Sequence, residues 1–151
     1  MDKKRITLAA VFRVMGSIVA GVATGLVLTI AVEIFSNIVH PFPSDFQHSM
    51  EEVSKHVEKY PPWVLAVVVP LWGGTAFAST WVTRRFGNFG SAVFVGLLLL
   101  AAVVCNVSQL PYPLWFKVSV LIVVPIAIYL GLCSSGRVAG EVRPNAMAEE
   151  V

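Results

Sequence analysis

Residues 13–40 read RVMGSIVAGVATGLVLTIAVEIFSNIVH. Arg13 marks one end of the run, and no further charge appears until Glu33. A helix rising 1.5 Å per residue covers about 30 Å over that interval, the thickness of a bilayer's hydrocarbon core. The stretch therefore reads as a membrane-spanning helix. Three further apolar runs of similar length follow it. The composition agrees: of 151 residues, 56% are hydrophobic and only 13% charged, with a mean hydropathy of +0.76. A water-soluble fold would leave much of that apolar surface in water, whereas lipid removes the problem.

The expected fold is all-α: an integral membrane bundle of four transmembrane helices, with one short amphipathic surface helix in the first extracytoplasmic loop. The spans are placed at about 7–39, 62–83, 89–110 and 114–132, and the surface helix at about 44–59. Residues 1–133 form this single domain, and 134–151, rich in Gly, Ser, Arg, Pro, Asn and Glu, form a polar cytoplasmic tail. The basic start Lys3-Lys4-Arg5 resembles a signal-peptide n-region. Against cleavage, Arg13 interrupts the start of the apolar run, which then continues to Phe35, beyond the usual h-region of about 7–15 residues. The first helix is read as uncleaved.

His40-Pro41-Phe42-Pro43 ends the first helix, because proline cannot continue the backbone ladder. Ser44 then reads as an N-cap with Gln47 as its capping-box partner. Phe46, Met50, Val53 and Val57 mark one apolar face, and Glu51 to Lys55 is a favourable pair one turn apart on the other. His40, His48 and His56 raise the question of a metal, but spacings of eight on an exposed helix are poor ligand geometry. They are read as surface histidines, and no metal or cofactor is expected. Tyr60-Pro61-Pro62-Trp63 opens the second span, Arg84-Arg85-Phe86-Gly87-Asn88 is read as a tight turn, and Pro111-Tyr112-Pro113 as the next. Pro70 and Pro125 lie inside spans, where proline kinks a helix or frees a carbonyl. Cys105 and Cys133 fall near opposite membrane faces, too far apart for a bridge within the chain.

Small residues lie where helix backbones must approach closely in lipid. Ser17, Gly21 and Gly25 recur every four residues on the first helix, and Gly73, Gly74 and Ala78 make the second closely packable. Contact within the same bundle is the preferred reading of the first stripe, ahead of a dimer seam.

Orientation follows from lysine and arginine in the short loops. With four spans both termini share one side, which holds Lys3, Lys4, Arg5, Arg13, Arg84, Arg85, Arg137 and Arg143; the other side holds Lys55, Lys59 and Lys117. The termini are expected in the cytoplasm. Tyr60, Trp63, Tyr112, Trp115 and Phe116 would ring the outer interface.

At the outer end six polar residues come to similar depth: Glu33, Asn37 and His40 on the first helix, Asn106 and Gln109 on the third, and Lys117 on the fourth. A charge in hydrocarbon costs about 2.5–3.5 kcal/mol even on lenient scales, so it faces protein or water. The first expectation is that Glu33 pairs with Lys117, with Asn106 as a hydrogen-bond partner, locking three helices. The second is an outward-facing site where Glu33 binds a proton or cation. The third places both charges separately among headgroups. Asn106-Val107-Ser108 matches a glycosylation acceptor by chance.

The long first helix with its acidic residue and His-Pro stop, Trp72-Gly73-Gly74 with Arg84-Arg85, and Asn106 before Pro111-Tyr112-Pro113-Leu114-Trp115-Phe116 carry a resemblance. Over about residues 11–132 the chain resembles a family of small, uncharacterised four-helix bacterial inner-membrane proteins. The resemblance implies a four-helix fold and a bacterial cytoplasmic membrane, and it carries no activity across.

No nucleophile, acid–base or metal-ligand set has the required proximity, so an enzyme is not expected. The function expected is a structural or accessory component that meets lipid and other membrane subunits or a second copy, and no nucleic acid. The alternative is a component of an oligomeric transporter or channel that uses Glu33 as its ion- or proton-binding group. The two differ in whether Glu33 faces a water-filled cavity or a buried lysine.

Overall fold

The computed structural model describes residues 2–43, 46 and 49–134, with side chains from Leu8 onward. The described residues form five helices: α1 (Asp2–Val39), α2 (Met50–Glu58), α3 (Pro62–Phe86), α4 (Phe89–Gln109) and α5 (Leu114–Ser134). α1, α3, α4 and α5 are each long and apolar enough to cross a membrane. The chain is thus an all-helical, multi-pass membrane protein with one short amphipathic helix. α4 and α5, with 21 residues each, span about 32 Å, close to one hydrocarbon core.

The helix ends follow from local chemistry. α3 runs three residues past the expected boundary, so Arg84 and Arg85 lie in its last turn rather than in a loop. Positive side chains there complement the negative end of the helix dipole. Arg13 Nε on α1 also donates to the Phe86 carbonyl at 3.0 Å, satisfying one of α3's orphan acceptors. The turn shrinks to Gly87 and Asn88. Asn88 then starts α4 through a reciprocal box, its Oδ1 accepting from Ser91 N at 2.8 Å while Ser91 Oγ accepts from Asn88 N at 3.1 Å.

α2 begins later than expected, at Met50. Its N-cap is Ser49, whose Oγ accepts from Glu52 N at 3.2 Å. The expected Ser44–Gln47 box and His48 lie outside the described residues, as does the tail 135–151.

α3 is the hub. It packs against α1, α4 and α5, whereas α1 and α5 do not touch each other. Half of its apolar window is buried, against 17% for α1, so α1 is the peripheral helix and offers Val19, Leu26, Ile30 and Ile34 outward. The small residues allow these approaches. Gly21 lies against Ser79 and Thr83 of α3, Gly25 against Ser79, Gly73 against Val123, and Gly131 against the α3 backbone at Phe77. Ser17 is buried and donates to Val14 O at 2.7 Å. The Ser17–Gly21–Gly25 stripe is therefore an internal contact, as preferred above. Gly74 is not a packing residue, since nothing lies within 4 Å of where its Cβ would be. It turns away from α5, one position round the helix from Gly73. Ala78 is half-buried.

Ser79, Thr80 and Thr83 are fully buried on α3. Each donates to the carbonyl one turn back, on Thr75, Ala76 and Ser79 respectively, at 2.7–2.8 Å. A lipid-embedded donor has no water to turn to, so this satisfies the hydroxyls and lets their small side chains pack.

Candidate functional site

α1 presents Glu33, Ser36 and Asn37 at spacings of three and four, which places them along one side of the helix. They form one wall of a cup of about 360 Å³ at the end of the bundle that carries α2. Asn106 of α4 contributes the facing carboxamide. Tyr60, Tyr112 and His56 line the rim, and Val68, Trp72 and Phe116 form the floor. Phe116 is wholly buried, with Trp72 edge-on at 5.8 Å and Tyr112 tilted at 4.7 Å between ring centroids. It is a core residue and not part of an interfacial ring, whereas Trp63 and Trp115 remain exposed.

The expected pairing of Glu33 with Lys117 is not formed. Among the described residues the ion pair present is the exposed Glu51–Lys55, at 2.6 Å. α3 stands between α1 and α5. The helical phase that sends Phe116, Val120 and Val124 into the core also turns Lys117 aside. Of the six polar residues placed at this depth, Glu33, Asn37 and Asn106 line the cup; His40, Gln109 and Lys117 do not. Ser36 and Tyr60, which the sequence reading did not assign to the site, both line it. Ser36 was legible, since it lies three residues beyond Glu33. Tyr60 and Tyr112 were placed in an interfacial belt because no periodicity connects a loop residue to a helix face.

Burial pushes both phenols up, Tyr112 to about 12; the neighbouring Tyr60 and then the negative charge of Glu33 add to the rise at Tyr112, and Glu33 adds to that at Tyr60. For Tyr60 the Ser36 hydroxyl opposes the rise. Both rings are neutral at physiological pH and offer aromatic faces rather than anions. Among the described residues no three His, Cys, Asp or Glu side chains come together as metal ligands. The cup's polar set is one carboxylate, two carboxamides, the hydroxyls of Ser36, Tyr60 and Tyr112, and the His56 imidazole. A single carboxylate gives it little of the ligand charge on which calcium affinity depends.

His40 and His56 are not surface residues. His40 is half-buried, His56 only 7% exposed, and their rings stack at 4.3 Å. Phe42 stacks on the other face of His56 at 4.2 Å, and Tyr60 meets its edge at 5.4 Å. This stack holds α2 over the cup. Desolvation, then the neighbouring His40 ring, lower the His56 pKa from 6.5, partly opposed by a hydrogen bond to the His40 backbone; Lys59 lowers it further.

The sign for stability follows. Below about pH 6.5 the unfolded His56 takes up a proton that the docked one resists, so the contact loses stability as pH falls through that range. Hydrogen exchange of the 50–58 amides, corrected for intrinsic rates, should show weaker protection near pH 5 than near pH 7.5. His56→Phe should remove the difference. Equal protection at both pH values would separate α2 docking from the histidine stack.

The fold and the site define a class: a small four-span helical membrane bundle with a polar cup at one end. Comparison with protein-family models, curated proteins and solved structures found no match.

Proposed function

We propose that this chain is a small accessory membrane subunit whose cup binds a cation or proton at Glu33. The observation that carries this is the placement of Glu33, which faces a cup with Asn37 and Asn106 and lacks the Lys117 partner expected of a structural lock. No fixed countercharge stands beside this carboxylate among the described residues, and a bound cation or proton supplies the missing charge. The cup is blind. Beneath its floor Ala76, Val120 and Val124 are buried, and the hydroxyls beyond are bonded to their own helices. One copy therefore offers no conduit, and a transport role would require other subunits. The reading assigns no catalysis to the chain. It places the cup on the outer face of a bacterial cytoplasmic membrane, with both termini inside. The excess of Lys and Arg on the side of the termini supports that orientation, and the four long apolar helices support a membrane.

A labelling experiment tests accessibility and orientation together. Cys105 and Cys133 are free and exposed, so both are first replaced by alanine. Asn37→Cys in that background is then expected to react with a membrane-impermeant maleimide on intact cells. Reaction only after permeabilisation would reverse the orientation. No reaction in either case would make the cup inaccessible to water and overturn the binding reading.

A further inference from the structure

The rim and floor of the cup are largely aromatic, and each of its polar groups can offer an acceptor. Glu33 carries the negative charge, and Asn37 and Asn106 provide carbonyl oxygens from facing helices. A primary ammonium has three N–H donors and no acceptor, which matches this set. The Tyr60 and Tyr112 rings can add cation–π attraction. A proton would use none of the rings, and a hard divalent ion would find a single carboxylate to balance its charge. The cup's volume of about 360 Å³ corresponds to about a dozen waters at about 30 Å³ each, room for an aminoethyl group with some of its hydration.

Trp72 and Asn106 line a second cavity of about 180 Å³, whose other walls are Thr29, Thr75, Ala76, Leu99, Ala102 and Val103. This cavity shares two lining residues with the polar cup and forms a largely apolar groove between α1, α3 and α4. Glu33 lies six residues inside the end of α1, or about 9 Å along the helix, so the cup sits at headgroup depth and the groove at acyl-chain depth.

We propose that the cup binds a primary ammonium group, and that its source is the amine headgroup of a membrane lipid whose chain lies along the adjoining groove. The proposal rests on the cation-binding reading above and names the cation. A free organic amine has the same recognition chemistry but no use for the groove.

The test uses the full chain in nanodiscs. One set holds phosphatidylglycerol alone and a second holds phosphatidylglycerol with phosphatidylethanolamine. Trp72 at the cup floor contributes to the tryptophan emission that reports binding, and thermal stability is read in parallel. Phosphatidylethanolamine is expected to raise the melting temperature and shift the emission. Glu33→Gln should weaken the apparent affinity about tenfold or more, the scale of one lost charge-assisted hydrogen bond. Leu99→Trp, which fills the groove, should weaken lipid binding and spare the response to ethanolamine hydrochloride added to phosphatidylglycerol discs.

If free ethanolamine binds as well as the lipid and Leu99→Trp changes neither, the ammonium site stands and the lipid source is overturned. If sodium, potassium or a shift to low pH produces the Glu33-dependent response and neither amine does, the cation cup stands and the ammonium is overturned. If no cation, proton or amine distinguishes wild type from Glu33→Gln, both readings fall.

Discussion

Gly21→Leu is expected to melt the bundle at a lower temperature than any other single change on α1. A Cβ on Gly21 would collide with Thr83 Oγ1 and come within 3.0 Å of the Ser79 carbonyl, which belongs to the α3 backbone and cannot rotate away. Forcing extra atoms into packed interiors costs about 1–3 kcal/mol. Here the whole helix pair must separate, so a loss of at least about 3 kcal/mol is expected by that scale. Gly25→Leu should cost less, because its nearest obstacles are the Ser79 Oγ at 3.0 Å and the end of Leu99 at 3.4 Å. Gly74→Leu is the control. With open space around it, the change should stay within about 0.5 kcal/mol. Detergent-phase thermal melts of the three variants decide the point. A ranking in which Gly74→Leu is as damaging as Gly21→Leu would mean that α1 does not pack on α3 through this stripe.

Phe116→Ala is expected to have the next largest effect. Phe116 is fully buried and meets Trp72, Tyr112 and Trp115 by ring contacts. Phe→Ala in soluble cores costs about 3–5 kcal/mol, part of it for the cavity left behind. In lipid the transfer part shrinks, because the separated helices still face hydrocarbon, but the lost packing remains. A loss near the lower end, about 3 kcal/mol, is expected. Phe116→Leu should recover most of it. The floor of the cup would also open, so tryptophan emission should shift to the red in the alanine variant. A cost below about 1 kcal/mol with unchanged emission would show that this floor is not tightly packed.

The two substitutions probe the two ends of α3, and together they explain why the cup sits where it does. At the end of the termini, Gly21 and Gly25 draw α1 tightly onto α3. At the other end larger side chains, Phe35, Trp72 and Phe116, stand between the helices. The space they leave beside Glu33 is the cup, and the aromatic stack of His40, His56 and Phe42 carries α2 across its rim.

The number and class of the helices were legible in the sequence because both depend on quantities local to the chain. Helix length against bilayer thickness yields four spans, and Pro41 marks where α1 stops, whatever the neighbours do. The amphipathic character of residues 50–58 was legible for the same reason. The Ser17–Gly21–Gly25 stripe was visible too, though not the helix it meets. Only the tertiary structure decided the partners. Shared depth brought Glu33 and Lys117 to one level, but depth is a single coordinate, and the hub position of α3 keeps α1 and α5 apart in the other two. Helical phase buries Phe116 and turns Lys117 aside, although they are adjacent in the chain. Gly73 and Gly74 divide in the same way between contact and open space. His40 and His56 read as exposed on their own segments and became a buried stack when α2 folded back beside the end of α1. Membrane depth is set residue by residue by transfer free energy; azimuth around a bundle is set by the packing of all the helices at once, and that information is spread across the whole chain.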